Sequence, residues 1–423
     1  MPARRTLRRY LGIACAVAAT ALVYGIQSAT ASSTTTLTFV TTNTLTPGFQ
    51  TVITLFERKY PNITVNASYL NSNQFNTLIP TELAAGNAPD VFTAFPGTGA
   101  LPAIQLMAKT GYLSAIPQKG WVKEMPADAL PDITVNKKVY AYPLGQNAYF
   151  LLYNKAQFTA LHLKVPQTFA QLNALCTQIK ADGKIPLTQA GSVLPNNGVA
   201  ATQLASGTVY SADPNWNTQK ASGKKSFVNT QGWQQAMSEF GTLATGGCFE
   251  SGAAGQSVPG STQQFASGQA LMWLANSQNI GLVLAANPNF DLGVAATPAE
   301  TAKQQVVEVA YPTNLVISAH SPNQTAAQEF VNFFAQPVNS GAWNHTAGYT
   351  SPVDVIARKF SPYIASLAPF YKQSRTRVNP FFAWPNPIVF GDEGTDVQGL
   401  LTGQLSATQV LTDMDNAWAQ PAG

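Results

Sequence analysis

Phe49, Val52, Ile53, Phe56 and Tyr60 recur at helical spacing until Pro61 stops the pattern, and Ile63, Val65, Ala67 and Tyr69 then alternate as the residues of a strand do. A second helix runs toward Gly86 and Asn87, which suit a left-handed closing turn, and Pro89 forbids its continuation before a new strand opens at Asp90-Val-Phe92. With the strand that starts at Leu37, the order is strand, helix, strand, helix, strand. Helices inserted between strands imply parallel pairing with right-handed crossovers, so residues 37–95 predict the opening of a doubly wound α/β lobe.

Farther along, Val139–Pro143 and Tyr149–Tyr153 are strand-like runs. Pro166-Gln-Thr168 caps a helix that carries Phe169, Leu172, Leu175, Cys176 and Ile179 on one face and ends at Asp182-Gly183. Thr230 starts another, with Trp233, Met237, Phe240 and Leu243. Strands are expected at 270–274, 290–295 and 306–317, the last interrupted by Tyr311-Pro-Thr-Asn314, and helices at 325–334 and 406–418. The Gly/Ser/Asn-rich stretches 191–198 and 246–260 are read as surface loops.

The run Phe56-Glu-Arg-Lys-Tyr-Pro-Asn-Ile-Thr-Val65, followed by Leu83-Ala-Ala-Gly-Asn-Ala-Pro-Asp-Val91, resembles family 1 extracellular solute-binding proteins, the receptors of ABC importers, mostly for carbohydrates. The likeness continues in order through Tyr140-Ala-Tyr-Pro143, Tyr153-Asn-Lys155, Phe265-Ala-Ser-Gly-Gln-Ala-Leu-Met272 and Ala326-Ala-Gln-Glu-Phe330. It implies an α/β, two-lobed periplasmic-binding-protein-like fold of type II, with hinged lobes that each hold a central, mostly parallel sheet flanked by helices. The first lobe is expected to comprise residues 32–145 and 309–345 and the second 146–308, with a C-terminal segment 346–423 mainly on the second lobe. Hinges are expected at 143–149, 310–314 and 340–350, where a bound ligand would draw the lobes shut.

Residues 1–31 read as an export signal: Arg4, Arg5, Arg8 and Arg9 precede an apolar stretch from Leu11 to Ile26, and Ala29-Thr-Ala31 offers a cleavage site. The protein is therefore expected outside the cytoplasm. Lipidation is not expected, because cleavage at Cys15 would leave Ala16–Ile26 as an exposed apolar tail. The four leader arginines account for the whole formal net charge of +4, so no basic face remains to argue for nucleic acid or anionic membrane. Only 10% of the residues are charged, against about a quarter in an average domain, which favours an uncharged ligand. About 390 mature residues exceed one comfortable core, in agreement with two lobes. Cys176 and Cys248 are then the only cysteines left, in a compartment where disulfides persist, and they are expected to pair, two buried free thiols being the alternative.

The tools of catalysis are missing from the sequence. Only His162, His320 and His345 are present, none with a histidine at ligand spacing, and no nucleophile elbow, phosphate loop or calcium loop is found. No catalytic residue, metal or cofactor is expected, and glycoside hydrolysis would need two facing carboxylates among few acids. A neutral sugar or oligosaccharide instead requires flat aromatics and amides. Ligands in open α/β sheets bind beyond the carboxyl ends of strands, which selects Thr41, Thr42 and above all Asn43 after the first strand, Asn71 after the second and Phe95–Thr98 after the third. Gln74 opens the next helix; Trp273, Asn276 and Ser277 close a second-lobe strand; Gln146, Asn147, Tyr149 and Asn314 lie at the crossings. Trp343, Tyr349 and Trp384 are further aromatic candidates. Strand-end capping and core packing are the ordinary roles for the same residue types. The expected receptor is a monomer that works with membrane permease subunits. The rival readings are a receptor for a polyamine, metal or other charged solute, which would need several acids, or a tyrosine cluster, in the cleft, and an exported polysaccharide-cleaving enzyme.

Overall fold

The computed structural model describes residues 34–117 and 120–421, and the expected export signal lies outside them. Strands β1 (Thr35–Thr42), β2 (Ile63–Leu70) and β3 (Val91–Ala94) are joined by the helices Thr46–Lys59 and Ser72–Ala85, as the periodicity predicts. A small hairpin, β4 (Thr134–Val135) and β5 (Lys138–Val139), precedes β6 (Ala141–Pro143). Strands β7 (Asn147–Asn154), β8 (Ile185–Thr188), β9 (Ala270–Asn276), β10 (Leu292–Ala295) and β11 (Val307–Ala310) build a second sheet. The chain then returns to the first sheet with β12 (Asn314–Ile317) and adds β13 (Thr376–Val378) to the edge of the second.

The first sheet has the order β2-β1-β3-β12-β6 and the second β13-β11-β7-β9-β8, with β10 also on β7. The α/β class holds, but the sheets are mixed rather than mostly parallel. β1 pairs β2 and β3 in parallel, whereas β12 is antiparallel to β3 and β6, and β7 is antiparallel to β9, β10 and β11. The reason is the way the chain changes sheets. Only three residues separate β6 from β7 and β11 from β12, too few for a helical crossover. β7 and β12 therefore start at the junction and run away from it, opposite to strands that end there.

The central strands of both large sheets are buried on both faces. On the helix Thr46–Lys59, Phe49, Val52, Ile53 and Phe56 turn inward and join Leu37, Phe39, Phe92 and Phe330 in the first-lobe core, because a 3.6-residue repeat gathers them on one stripe. In β7 the period of two divides the strand: Tyr149 and Leu151 face one second-lobe core, and Ala148, Phe150 and Leu152 face the other. Cys176, on the helix Phe169–Ala181, is joined by a disulfide to Cys248, with Cα atoms 5.3 Å apart. Two stretches read as loops are partly helical. Pro195 sits in the first turn of the helix Leu194–Ala205, where a missing N–H is harmless, and Ser257 caps the helix Val258–Ala266 by accepting from Gly260 N. No helix among the described residues is long and apolar enough to cross a membrane.

Candidate functional site

The carboxyl ends of β1, β2 and β3 point at the space between the two sheets. There Thr42, Ser72, Asn73, Asn76 and Phe95 from the first lobe face Leu194, Pro195, Pro387 and Phe390 from the second across a cavity of about 380 Å³. Ser72, Asn73 and Asn76 belong to the first turns of the helix Ser72–Ala85, and Leu194 and Pro387 open their own helices, so the walls are built from helix starts. Phe390 is held by stacking on Phe381, with centroids 3.9 Å apart and planes at 13°. Phe95 stacks on Phe382 at 5.9 Å.

Behind this cavity lies a smaller chamber of about 110 Å³, reached past Thr42, Ser72 and Phe95, where the crossing segments meet. Asn147, Tyr149, Gln278, Thr313 and Tyr349 line it. Asn147 Oδ1 accepts from Ser277 N at 2.9 Å, Gln278 Nε2 donates to the Tyr349 hydroxyl at 2.6 Å, and that hydroxyl lies 3.2 Å from Thr313 Oγ1. Burial pushes the Tyr149 and Tyr349 phenols well above their ordinary pKa, so both stay neutral hydroxyls. No side chain lining either space is charged.

Two carboxyl groups lie behind the second-lobe wall, outside both spaces. Glu308, the cross-strand neighbour of Tyr149, accepts hydrogen bonds from Ser206 Oγ and Asn379 Nδ2. Burial pushes its pKa up to about 8, against the lowering effect of those bonds. Glu393, fully buried one turn beyond Phe390, lies 3.2 Å from the Thr202 hydroxyl and is likewise pushed well up by burial. Among the described residues, neither has a lysine or arginine partner. A roomier hollow of about 690 Å³, near Lys224 and Lys225, is lined by the second lobe alone, and Lys225 there is taken by Asp213 at 2.7 Å.

Of the residues singled out from the sequence, Asn147 and Tyr349 come together in the inner chamber, with Tyr149 beside them, and Thr42 and Phe95 line both spaces. The others are placed differently. Asn43 is exposed in a short turn, and its neighbour Thr42 lines the cavity in its stead. Asn71 is spent as a helix cap, accepting from Gln74 N at 2.9 Å, which hands the wall to Ser72 and Asn73. Gln74 lies on an outer groove of the same helix. Asn314 is fully buried and donates to Ala94 O and Tyr311 O, bracing a crossing. Trp273 packs in the core beneath the second sheet, near Phe265. Trp343 packs edge-on against Phe49 in the first-lobe core, and Trp384 sits in the large second-lobe core. These large rings gain more from full burial than from a solvated cleft. Ser72, Asn73, Asn76, Gln278, Thr313 and Phe390 were not picked out. The strand-end rule came within one residue of Ser72, whereas Gln278, Thr313 and Phe390 reach the junction only through tertiary folding.

Residues 42–340 match the family model of the bacterial extracellular solute-binding proteins, and the chain belongs to that family. Among individual relatives, it is 26% identical over 283 residues to the multiple sugar-binding protein of Streptococcus mutans, an alignment that covers 67% of this chain and 66%, just under two thirds, of the relative. The solved structure of the solute-binding protein RafE in complex with raffinose superposes with a TM-score of 0.77 at 22% identity, over 91% of this chain and 99% of that one. A Bacillus licheniformis sugar transporter protein in complex with stachyose gives 0.75 at 20% identity, over 90% and 98%. At these identities the structural likeness establishes the shared two-lobed fold.

Proposed function

We propose that this chain is the extracytoplasmic receptor of an ABC importer, binding a neutral sugar or oligosaccharide between its lobes and delivering it to a membrane permease. The observation that carries this reading is the lining of the junction: amides, hydroxyls and aromatic rings from both lobes, and no ionic side chain. A sugar offers an apolar ring face edged by hydroxyls, and a site without fixed charge holds it without desolvating an unpaired ion. The sugar-binding relatives support the same reading. A receptor for a charged solute lacks its counter-charges here, and Glu308 and Glu393, which lie outside both spaces, do not form the facing pair that glycoside cleavage needs.

The binder transforms nothing, takes no cofactor and acts as a monomer. ATP hydrolysis falls to a separate subunit. The first lobe is residues 32–145 and 309–345, the second 146–308 with the C-terminal segment, and the short links at the sheet changes serve as hinges. Mature protein begins near Ser32, after export and cleavage beyond Ala31. Thermal melts against mono- and oligosaccharides, with polyamines and metal ions as controls, test the ligand class: a sugar that binds only the folded form raises the melting temperature. A rise with the charged solutes alone overturns the reading.

A further inference from the structure

The space between the lobes is graded from closed to open. The inner chamber of about 110 Å³ gives onto the 380 Å³ cavity past Thr42, Ser72 and Phe95. That cavity continues over Asn73 and Thr77 onto an open groove along the helix Ser72–Ala85, bounded by Leu70, Gln74, Leu78 and Thr81. We propose that the ligand is an oligosaccharide recognised by one end: its terminal unit lodges a ring edge or hydroxymethyl group in the inner chamber at Asn147 and Tyr349, and the rest of the chain leaves the cleft over Thr77 and Leu78. The inference rests on the reading of the cleft as a sugar site.

The chemistry of the outer groove fits a sugar chain. The Thr77 hydroxyl turns back onto Asn73 O at 3.0 Å and the Thr81 hydroxyl onto Thr77 O at 2.8 Å, so each leaves its methyl group to the surface. Those methyls and the half-buried Leu70 and Leu78 make an apolar strip, with the exposed amides of Asn73 and Gln74 at its edge. Ring faces lie on such a strip, and ring hydroxyls reach such amides. The inner chamber, by contrast, accommodates a ring edge or hydroxymethyl group and no continuing chain. The groove carries no ionic side chain either.

Isothermal titration of the mature protein with one sugar series, from mono- to tetrasaccharide, each also supplied with a bulky aryl group at the reducing end or at the non-reducing end, tests this. Affinity is expected to rise with length, to survive the aryl group at one end and to be lost with it at the other. Q74A and L78S, both on the helix surface, are expected to weaken the tetrasaccharide about fivefold, the scale of one hydrogen bond or one partly buried side chain. They should leave the disaccharide unchanged. Equal tolerance of both blocked ends, rejection of both, or a monosaccharide that binds as tightly as the tetrasaccharide overturns the proposal. If the folded protein binds no sugar of any length, the sugar-receptor reading itself fails, and this inference with it.

Discussion

Asn147 and Trp273 sit on neighbouring strands of one sheet, yet they answer to different physics. Asn147 reaches the inner chamber with its side-chain amide, whose oxygen accepts from Ser277 N. We expect N147A, and Y349F beside it, to weaken sugar binding about fivefold to tenfold, the worth of one hydrogen bond lost to a neutral partner. The unliganded melting temperature of Y349F should stay close to that of the parent, and that of N147A should fall by the worth of about 1–3 kcal/mol, because Ser277 N loses its buried acceptor. W273A should reverse the pattern: removing a core ring costs about 3–5 kcal/mol of stability, and denaturant unfolding of the unliganded protein reads it directly. Glu308 makes a third case. With its folded pKa near 8, against an ordinary value of 4.5, the folded chain holds a proton that the unfolded chain has released. Stability contributed by this group therefore falls as pH rises between those two values and levels off above the upper one. E308Q carries no such proton, so its melting temperature relative to the parent should climb from about pH 5 to about pH 9. A constant difference across that range would show that the carboxyl group is ionised in the fold.

At the scale of elements, most of this architecture is legible in the chain. Phe49 to Phe56 and Ile63 to Tyr69 announce a helix and a strand by period alone, and Gly86, at φ 73°, closes the next helix in the left-handed conformation that its sequence suggests. The sense of β7 and β12 is not legible, because it follows from where the chain changes sheets and not from any local pattern. The face on which Trp273 lies is hidden for a similar reason: β9 is buried on both sides, so alternation has no wet face to mark. The cleft was half readable. The strand-end rule locates it, but whether Asn71 binds a ligand or caps a helix depends on one hydrogen bond that no sequence shows. The disulfide illustrates how an element can matter without touching the site. Cys176–Cys248 closes a loop of 72 residues and ties the helix Phe169–Ala181 to the segment beside β8, away from the junction. Replacing both cysteines by serine is expected to lower stability by as much as about 4 kcal/mol in the chain-entropy view. Urea unfolding should show that loss while sugar affinity remains unchanged.

For the whole molecule, the question is what holds the lobes at their observed angle. The chain crossings are bonded to one another: Gln146 and Thr350 exchange backbone hydrogen bonds, and Gln146 also meets the hydroxyls of Tyr311 and Tyr371 at 2.9 and 3.0 Å. A further contact joins the lobes without a chain link. The backbone amides of Thr98 and Gly99, in the loop after β3, donate to Phe382 O at 3.0 and 3.1 Å, and Thr98 Oγ1 donates to Trp384 O. Ala100 reaches into the second-lobe core. The approach is backbone on backbone, which is why Gly97 and Gly99 stand there: a Cβ at either position would run into the carbonyl of Phe382 or Phe381. If the lobes close around ligand, G99A pushes them apart at this point and lowers the fraction of molecules in the binding geometry. Apparent affinity falls in proportion to that fraction, so a tenfold loss of the closed population means an about tenfold weaker Kd for every sugar, whatever its length. Small-angle scattering should then show a larger unliganded radius for G99A than for the parent, and both should compact to the same value with saturating sugar. An unchanged radius with unchanged affinity would mean that this contact moves as one body with the second lobe, and that the opening angle is set at the crossings alone.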